Sequence, residues 1–133
     1  MKRTFSAVIL FLLVLLTFTG CSGNSYFFEE PVDEINSIEI VSAESSLEYT
    51  VLKTLSETEK EDFIEQFLKI EFYNYYIGDP MSVNGNAVKI AYANGNYEMI
   101  CPCWSEYVKD GVIQYRWKNC NENEFNELLN KFL

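Results

Sequence analysis

Two turn signals within a run of alternating apolar residues constrain this chain more than any other feature. Residues 87–117 contain Asn94-Gly95 and, further on, Lys109-Asp110-Gly111, and apolar side chains recur at every second position around both. Period-two alternation interrupted by Asn-Gly or Asp-Gly is the strongest local signal for antiparallel β-hairpins. The segment therefore predicts a three-stranded meander on which the rest of the chain packs.

The first turn predicts a register. A two-residue turn at Asn94-Gly95 sets apolar residues opposite one another, and the pairs are Tyr92 with Tyr97, Ile90 with Met99, and Val88 with Cys101. All six side chains would then share one face of the sheet. The other face would be mostly polar, which predicts a sheet with one face on a core and one towards water.

The second turn decides which cysteines meet. A two-residue turn at Asp110-Gly111 places Cys101 opposite Cys120, but it breaks the apolar face unless a β-bulge corrects it. A three-residue turn at Lys109-Asp110-Gly111 keeps that face continuous and leaves Cys120 on the opposite face. We favour the three-residue turn because it keeps the face continuous. It predicts buried thiols at Cys101 and Cys103, and a disulfide between Cys101 and Cys120 stays a candidate only if the chain bends after Lys118.

Further strands and two helices complete the predicted domain. Strands are predicted at residues 35–42, 47–55 and 71–77. Ser56 and Glu59 form the pattern of a capping box at the start of a helix. A second helix near the end of the chain carries an apolar stripe of Phe125, Leu128, Leu129 and Phe132. The order β-β-α-β-β-β-β-α predicts an α+β fold, with an antiparallel sheet and two helices packed on one face.

The amino terminus has the pattern of an export leader. Lys2 and Arg3 precede an apolar stretch, residues 5–18, which is shorter than the roughly 20 residues needed to span a bilayer. The following Phe18-Thr19-Gly20-Cys21 resembles the lipobox of bacterial lipoproteins. The resemblance implies cleavage before Cys21, a diacylglyceryl group on its thiol, and a protein anchored by lipid to the extracytoplasmic face of the cell membrane.

This resemblance and the strand pattern divide the chain into three parts. Residues 1–20 are predicted to be a lipoprotein signal peptide, residues 21–34 a lipidated tether, and residues 35–133 a single domain. The aromatic run Tyr26-Phe27-Phe28 lies in the tether. We expect it to fold back onto the domain, and the alternative is that it dips into the lipid interface.

Composition excludes several partners and chemistries. The chain has a formal net charge of −10, and two of its few basic residues, Lys2 and Arg3, lie in the leader, so we expect no nucleic-acid partner. It has no histidine, which removes the commonest general base and the commonest zinc ligand. Cys101-Pro102-Cys103 has one intervening residue where a redox Cys-X-X-Cys motif has two. We therefore predict no enzyme activity, no cofactor and no metal site.

Two functions remain. The first is a non-catalytic protein-interaction module, held at the membrane through lipid on Cys21. The second is a cell-wall glycan-binding module whose exposed aromatic platform would stack on sugar rings. The residues predicted for that platform are Tyr73, Tyr75, Trp104 and Tyr107.

Two further resemblances concern the domain itself. The segments NYEMI, KDG and NEFNELLNKFL are similar to small secreted Firmicute-type domains of unknown function. The order of helices and strands is similar to that of β-lactamase-inhibitor-like modules, at the level of topology only. Neither resemblance implies an activity, since a fold hosts many functions.

Overall fold

A six-stranded antiparallel sheet is the scaffold of the described chain. The computed structural model describes residues 23–74, 85–116 and 118–133. The strands are β1 (Ile35–Ala43), β2 (Tyr49–Thr54), β3 (Gly85–Tyr92), β4 (Tyr97–Ile100), β5 (Ser105–Lys109) and β6 (Val112–Arg116), and the helices are α1 (Glu57–Phe67) and α2 (Glu122–Phe132). The spatial order β2-β1-β3-β4-β5-β6 confirms the predicted α+β class.

Both helices cover the same face of the sheet. Phe63 and Phe67 of α1 and Phe125 of α2 belong to one buried cluster with Ile38 of β1 and Ile90 of β3, which we call the helix-side core. The helices begin where the sequence indicates. The Ser56 hydroxyl and the Glu59 side chain form the predicted capping box ahead of α1. In the part of the chain described, no helix is long and apolar enough to cross a bilayer.

Four strands follow α1, as predicted, but they are not the four strands that the sequence predicted. In the predicted strand at residues 71–77, Phe72 and Tyr73 form only isolated bridges, and the rest of it beyond Asn74 lies outside the described residues. The predicted central strand of the meander is instead divided into β4 and β5. Cys101 N donates to Trp104 O at 2.9 Å and closes a turn between them.

The first hairpin is one residue out of the predicted register. Val88 pairs with Ile100 and Ile90 pairs with Glu98, so the predicted pairs of Tyr92 with Tyr97, Ile90 with Met99, and Val88 with Cys101 are wrong. Tyr92 N donates to Asn96 O at 2.9 Å, which closes a three-residue loop. Gly95 has a φ of 90°, the left-handed conformation that this loop requires. The shift moves Glu98 onto the helix-side face.

The second hairpin also differs from the favoured prediction. Lys109 pairs with Val112, so Asp110-Gly111 is a two-residue turn and the three-residue turn is wrong. Asp110 and Gly111 have φ values of 52° and 77°, as a type I′ turn requires. The alternative two-residue turn was therefore correct. It does not set Cys101 opposite Cys120, because Cys101 lies in the turn before β5 begins.

The sheet is apolar on both faces. On the face away from the helices, a second cluster of buried residues comprises Val41, Ala43, Ala87, Met99, Cys101 and Trp104. The prediction of one water-facing polar face is therefore wrong for this region. It failed because the one-residue register shift places Met99 and Cys101 on the face away from the helices, whereas the prediction placed them on the core face.

The segment before β1 belongs to the packed structure. Asn24 and Phe72 exchange two main-chain hydrogen bonds of 3.0 and 2.8 Å. Tyr26 and Phe28 are buried in the helix-side core, whereas Phe27 is 80% exposed. Tyr26 and Phe28 thus fold back onto the domain, and the predicted domain start at residue 35 leaves out residues that contribute to the core.

Candidate functional site

Two of the four residues predicted for the aromatic platform are buried, so the prediction is wrong for Trp104 and Tyr107. Trp104 and Tyr107 are 3% and 7% exposed, which leaves neither ring free to stack on a sugar. They also lie on opposite faces of the sheet, since Trp104 belongs to the second cluster and Tyr107 to the helix-side core. Tyr73 is half-buried, and its hydroxyl donates to Glu71 Oε2 at 3.0 Å. Tyr75 lies outside the described residues.

The candidate disulfide partners lie near each other but face different sides. Cys120 N donates to Pro102 O at 2.8 Å, so its main chain runs beside the Cys101-Pro102-Cys103 turn. Cys101 is buried in the second cluster, whereas Cys120 packs against the helix-side core. All three thiols, including that of Cys103, are free. The structure therefore contains no disulfide between Cys101 and Cys120.

The environment of these thiols keeps them protonated. Burial raises the pKa of Cys120 to about 12, and it raises the pKa of Cys101 further. The pKa of the Cys103 thiol is also raised, chiefly by burial. Because the thiolate is the reactive form, all three are poor nucleophiles at neutral pH.

A buried carboxylate that sequence reasoning missed joins the amino-terminal segment to the sheet. Glu98 is 1% exposed, and its side chain accepts hydrogen bonds from the hydroxyls of Tyr26 and Tyr92. A third bond comes from Glu29 N at 2.7 Å. Burial raises the pKa of Glu98, although these three hydrogen bonds and the nearby Lys118 act in the opposite direction. Had the three-residue loop at Gly95 been recognised, Glu98 would have been placed on this face.

A second carboxylate holds the same segment at its other end. Glu30 accepts hydrogen bonds from Asn94 Nδ2 at 2.7 Å, from Asn96 Nδ2 at 2.8 Å and from the Tyr107 hydroxyl. The Tyr107 bond is the main reason that the pKa of Glu30 is lowered, and the two amides add to it. Between these two sites, Glu29 pairs with Arg116 at 3.1 Å. The segment is thus fixed to the sheet by three consecutive polar contacts.

A polar groove of about 460 Å³ opens where this segment begins. Its lining residues are Lys69, Glu71, Tyr73, Asn119, Cys120, Asn121 and Glu124. A Cβ added to Gly23 would lie 2.7 Å from Glu71 Cβ, so the chain enters the domain in close contact with one groove residue.

Asn119 is the unusual residue of this groove. It is 3% exposed, and among the described residues neither its side-chain nitrogen nor its oxygen has a hydrogen-bond partner. Its main chain exchanges hydrogen bonds of 2.7 and 2.9 Å with Tyr73, so only the amide is left over. Leaving a buried polar group unpaired costs about 1–3 kcal/mol. Both polar atoms of this amide are covered, so a ligand in the groove would reach them only after neighbouring side chains move.

The acidic and cysteine side chains of the described residues do not form a metal-ligand cluster. Within residues 23–74, 85–116 and 118–133, no three or more Cys, Asp or Glu side chains are grouped so that they hold a metal ion. The buried Glu98 and the partly exposed Glu30 instead accept hydrogen bonds from hydroxyls and amides of the protein itself.

Comparison with known proteins adds no relative. No family model matches the chain, and neither a curated protein nor a solved structure is significantly similar to it. Function therefore has to be inferred from the residues and their geometry.

The raised pKa of Glu98 predicts a pH-dependent loss of stability. As the pH rises above the ordinary glutamate pKa of about 4.3, the unfolded chain loses a proton that the folded chain still holds, so the free energy of unfolding falls. Glu98→Gln removes this loss. We expect the variant to gain stability relative to the wild type from about pH 4 upwards, by about 1.4 kcal/mol for each pKa unit of the shift.

Urea unfolding at a series of pH values measures this difference. Glu65→Gln, at an exposed position on α1, controls for the removal of one negative charge. A stability difference between Glu98→Gln and the wild type that is constant with pH would contradict the assignment.

Two buried asparagines are expected to respond oppositely to the same substitution. Asn96 is 8% exposed and fully used, because its Nδ2 donates to Glu30 and to Tyr107 and its Oδ1 accepts from Asp110 N. Asn96→Leu should therefore lower the free energy of unfolding by about 2–3 kcal/mol, the cost of orphaning its partners. Asn119→Leu should leave it unchanged or raise it, since no partner is lost.

Thermal or urea unfolding of the two variants tests this contrast. An equal loss of stability in both variants would show that the Asn119 amide serves the fold and not a ligand.

Proposed function

We propose that this chain is a lipoprotein held on the extracytoplasmic face of the cell membrane through Cys21, and that its domain is a non-catalytic protein-interaction module. The observation that supports the lipid anchor is the position of the fold relative to the lipobox-like motif. Close behind that motif, Asn24 pairs with Phe72 through its main chain, and Tyr26 is buried. Cleavage before Cys21 would remove none of the described elements and would leave the lipid directly beside the domain.

The edges of the sheet support the second half of the proposal. In the described part of the chain, β2 and β6 each have a neighbouring strand on one side only. Both present exposed apolar side chains, which are Val51 and Leu52 on β2 and Val112 and Ile113 on β6. An exposed apolar edge strand is a template for a strand of a partner protein. The glycan alternative lacks comparable support, because Trp104 and Tyr107 are buried.

The membrane anchor is tested by acyl labelling. Full-length protein expressed in a bacterium that processes lipoproteins, and fed an alkyne-bearing fatty acid, should carry the label and sediment with membranes. Cys21→Ala should lose both, because the thiol is the site of diacylglyceryl attachment. Cys103→Ala, which removes another cysteine that is only half-buried, should keep both. Label retained by Cys21→Ala would contradict the proposal.

The interaction surface is tested by photo-crosslinking in intact cells. A benzophenone amino acid at Val112 should give a discrete adduct of higher mass, because Val112 is exposed and, among the described residues, β6 has a neighbouring strand on one side only. The matched control is the same amino acid at Glu65, which is exposed on α1. Equal adducts at both positions would contradict a role for β6, as would the absence of an adduct at Val112.

A further inference from the structure

We propose that Phe27 contacts the lipid interface and thereby fixes the orientation of the domain on the bilayer. The inference rests on the proposed anchor at Cys21 and deepens it, since an anchor alone leaves the domain free to rotate. With 80% of its surface exposed, Phe27 is the most exposed large apolar residue in the described chain.

The outward direction of Phe27 is fixed by its neighbours. Tyr26 and Phe28 both point into the helix-side core, and their rings contact each other with centroids 5.2 Å apart. The oxygen of Phe27 itself accepts a hydrogen bond from Lys118 Nζ at 2.9 Å. Lys118 Nζ also lies 4.1 Å from the centre of the Tyr26 ring. The exposed ring of Phe27 is therefore presented by a backbone that is held on both sides.

The length of the chain places Phe27 near the membrane. An extended chain covers at most about 3.6 Å per residue, so Cys21 lies within roughly 7 Å of Gly23 and Phe27 within roughly 22 Å of Cys21. Gly23 is in close contact with Glu71, and Asn24 is paired with Phe72. A lipid on Cys21 thus has almost no free tether, and the part of the domain that contains this segment has to lie against the headgroups.

The charges around Phe27 favour this contact in an otherwise acidic chain. A formal net charge of −10 opposes the approach of most of the surface to anionic lipid. Near Phe27, however, the carboxylate of Glu29 is paired with Arg116 at 3.1 Å and with Lys118 at 3.8 Å. The segment therefore presents an aromatic ring beside neutralised charge, and aromatic side chains concentrate at membrane interfaces.

The anchor makes a contact through a single ring effective. One phenylalanine does not hold a soluble protein on a membrane, but lipid on Cys21 keeps the ring at a high local concentration near the bilayer. A weak contact is then populated without any further binding site.

Tryptophan fluorescence on vesicles tests the contact. Lipidated full-length Phe27→Trp and Leu47→Trp are each reconstituted into vesicles of phosphatidylcholine and phosphatidylglycerol with brominated acyl chains. Leu47 is the matched control, because it is exposed in the loop between β1 and β2. The native Trp104 and Trp117 contribute the same background fluorescence to both variants. We expect the added Phe27→Trp emission to be quenched and shifted to shorter wavelength, and the added Leu47→Trp emission to be neither.

Three outcomes would overturn the inference. Equal quenching of the two variants would show that Phe27 is no closer to lipid than Leu47. A shift to shorter wavelength without quenching would show that protein, such as a second copy of the chain, covers Phe27. Flotation of the same vesicles reports whether the protein is anchored. Protein that floats but shows no stronger quenching of Phe27→Trp than of Leu47→Trp overturns this inference alone. Protein that does not float overturns the proposed membrane anchor as well.

Discussion

The buried carboxylate of Glu98 is the contact on which the arrangement of this domain depends. It joins Tyr26, from a segment before the first strand, to Tyr92 at the end of β3. Burial raises the pKa of both tyrosines, so their hydroxyls stay protonated and act as donors. Replacing the carboxylate with an apolar group would remove the acceptor of two hydroxyls and of the main-chain nitrogen of Glu29 together. Such a site specifies one position for the amino-terminal segment, because any shift along the sheet leaves buried donors unpaired.

The segment and the helices divide one face of the sheet between them. Phe63 and Phe125 of the helices pack on Ile38 and Ile90, while Tyr26 and Phe28 extend the same core. The rings of Tyr26 and Phe67 lie 5.2 Å apart, so the two parts are continuous. The described residues nearest the proposed lipid anchor therefore contribute to the core of the domain.

Sequence reasoning predicted the fold class and the elements with strong local signals. The capping box at Ser56 and the apolar stripe of α2 depend on neighbouring residues, and both are present in the structure. Strand register was harder to predict, because the Asn94-Gly95 and Asp110-Gly111 pairs each allow two loop lengths. The choice between them depends on packing across the sheet. Side-chain sites were harder still to predict. Tyr26 and Glu98 are 72 residues apart, and no local sequence pattern connects them. Trp104 and Tyr107 were misassigned because aromatic content alone does not distinguish a platform from a core.

If the chain is exported as proposed, the separation in sequence of these contacts has a consequence for the order in which it folds. Phe27 meets Lys118 across 91 residues, and Glu29 meets Arg116 across 87. In a chain that crosses the membrane from its amino terminus, the first residues to emerge would have to wait for nearly the last before they could pack. The main-chain pairing of Asn24 with Phe72 would also form only after Phe72 has emerged. Under the proposed lipidation, enzymes acting at Cys21 would therefore meet a chain whose following residues are not yet packed.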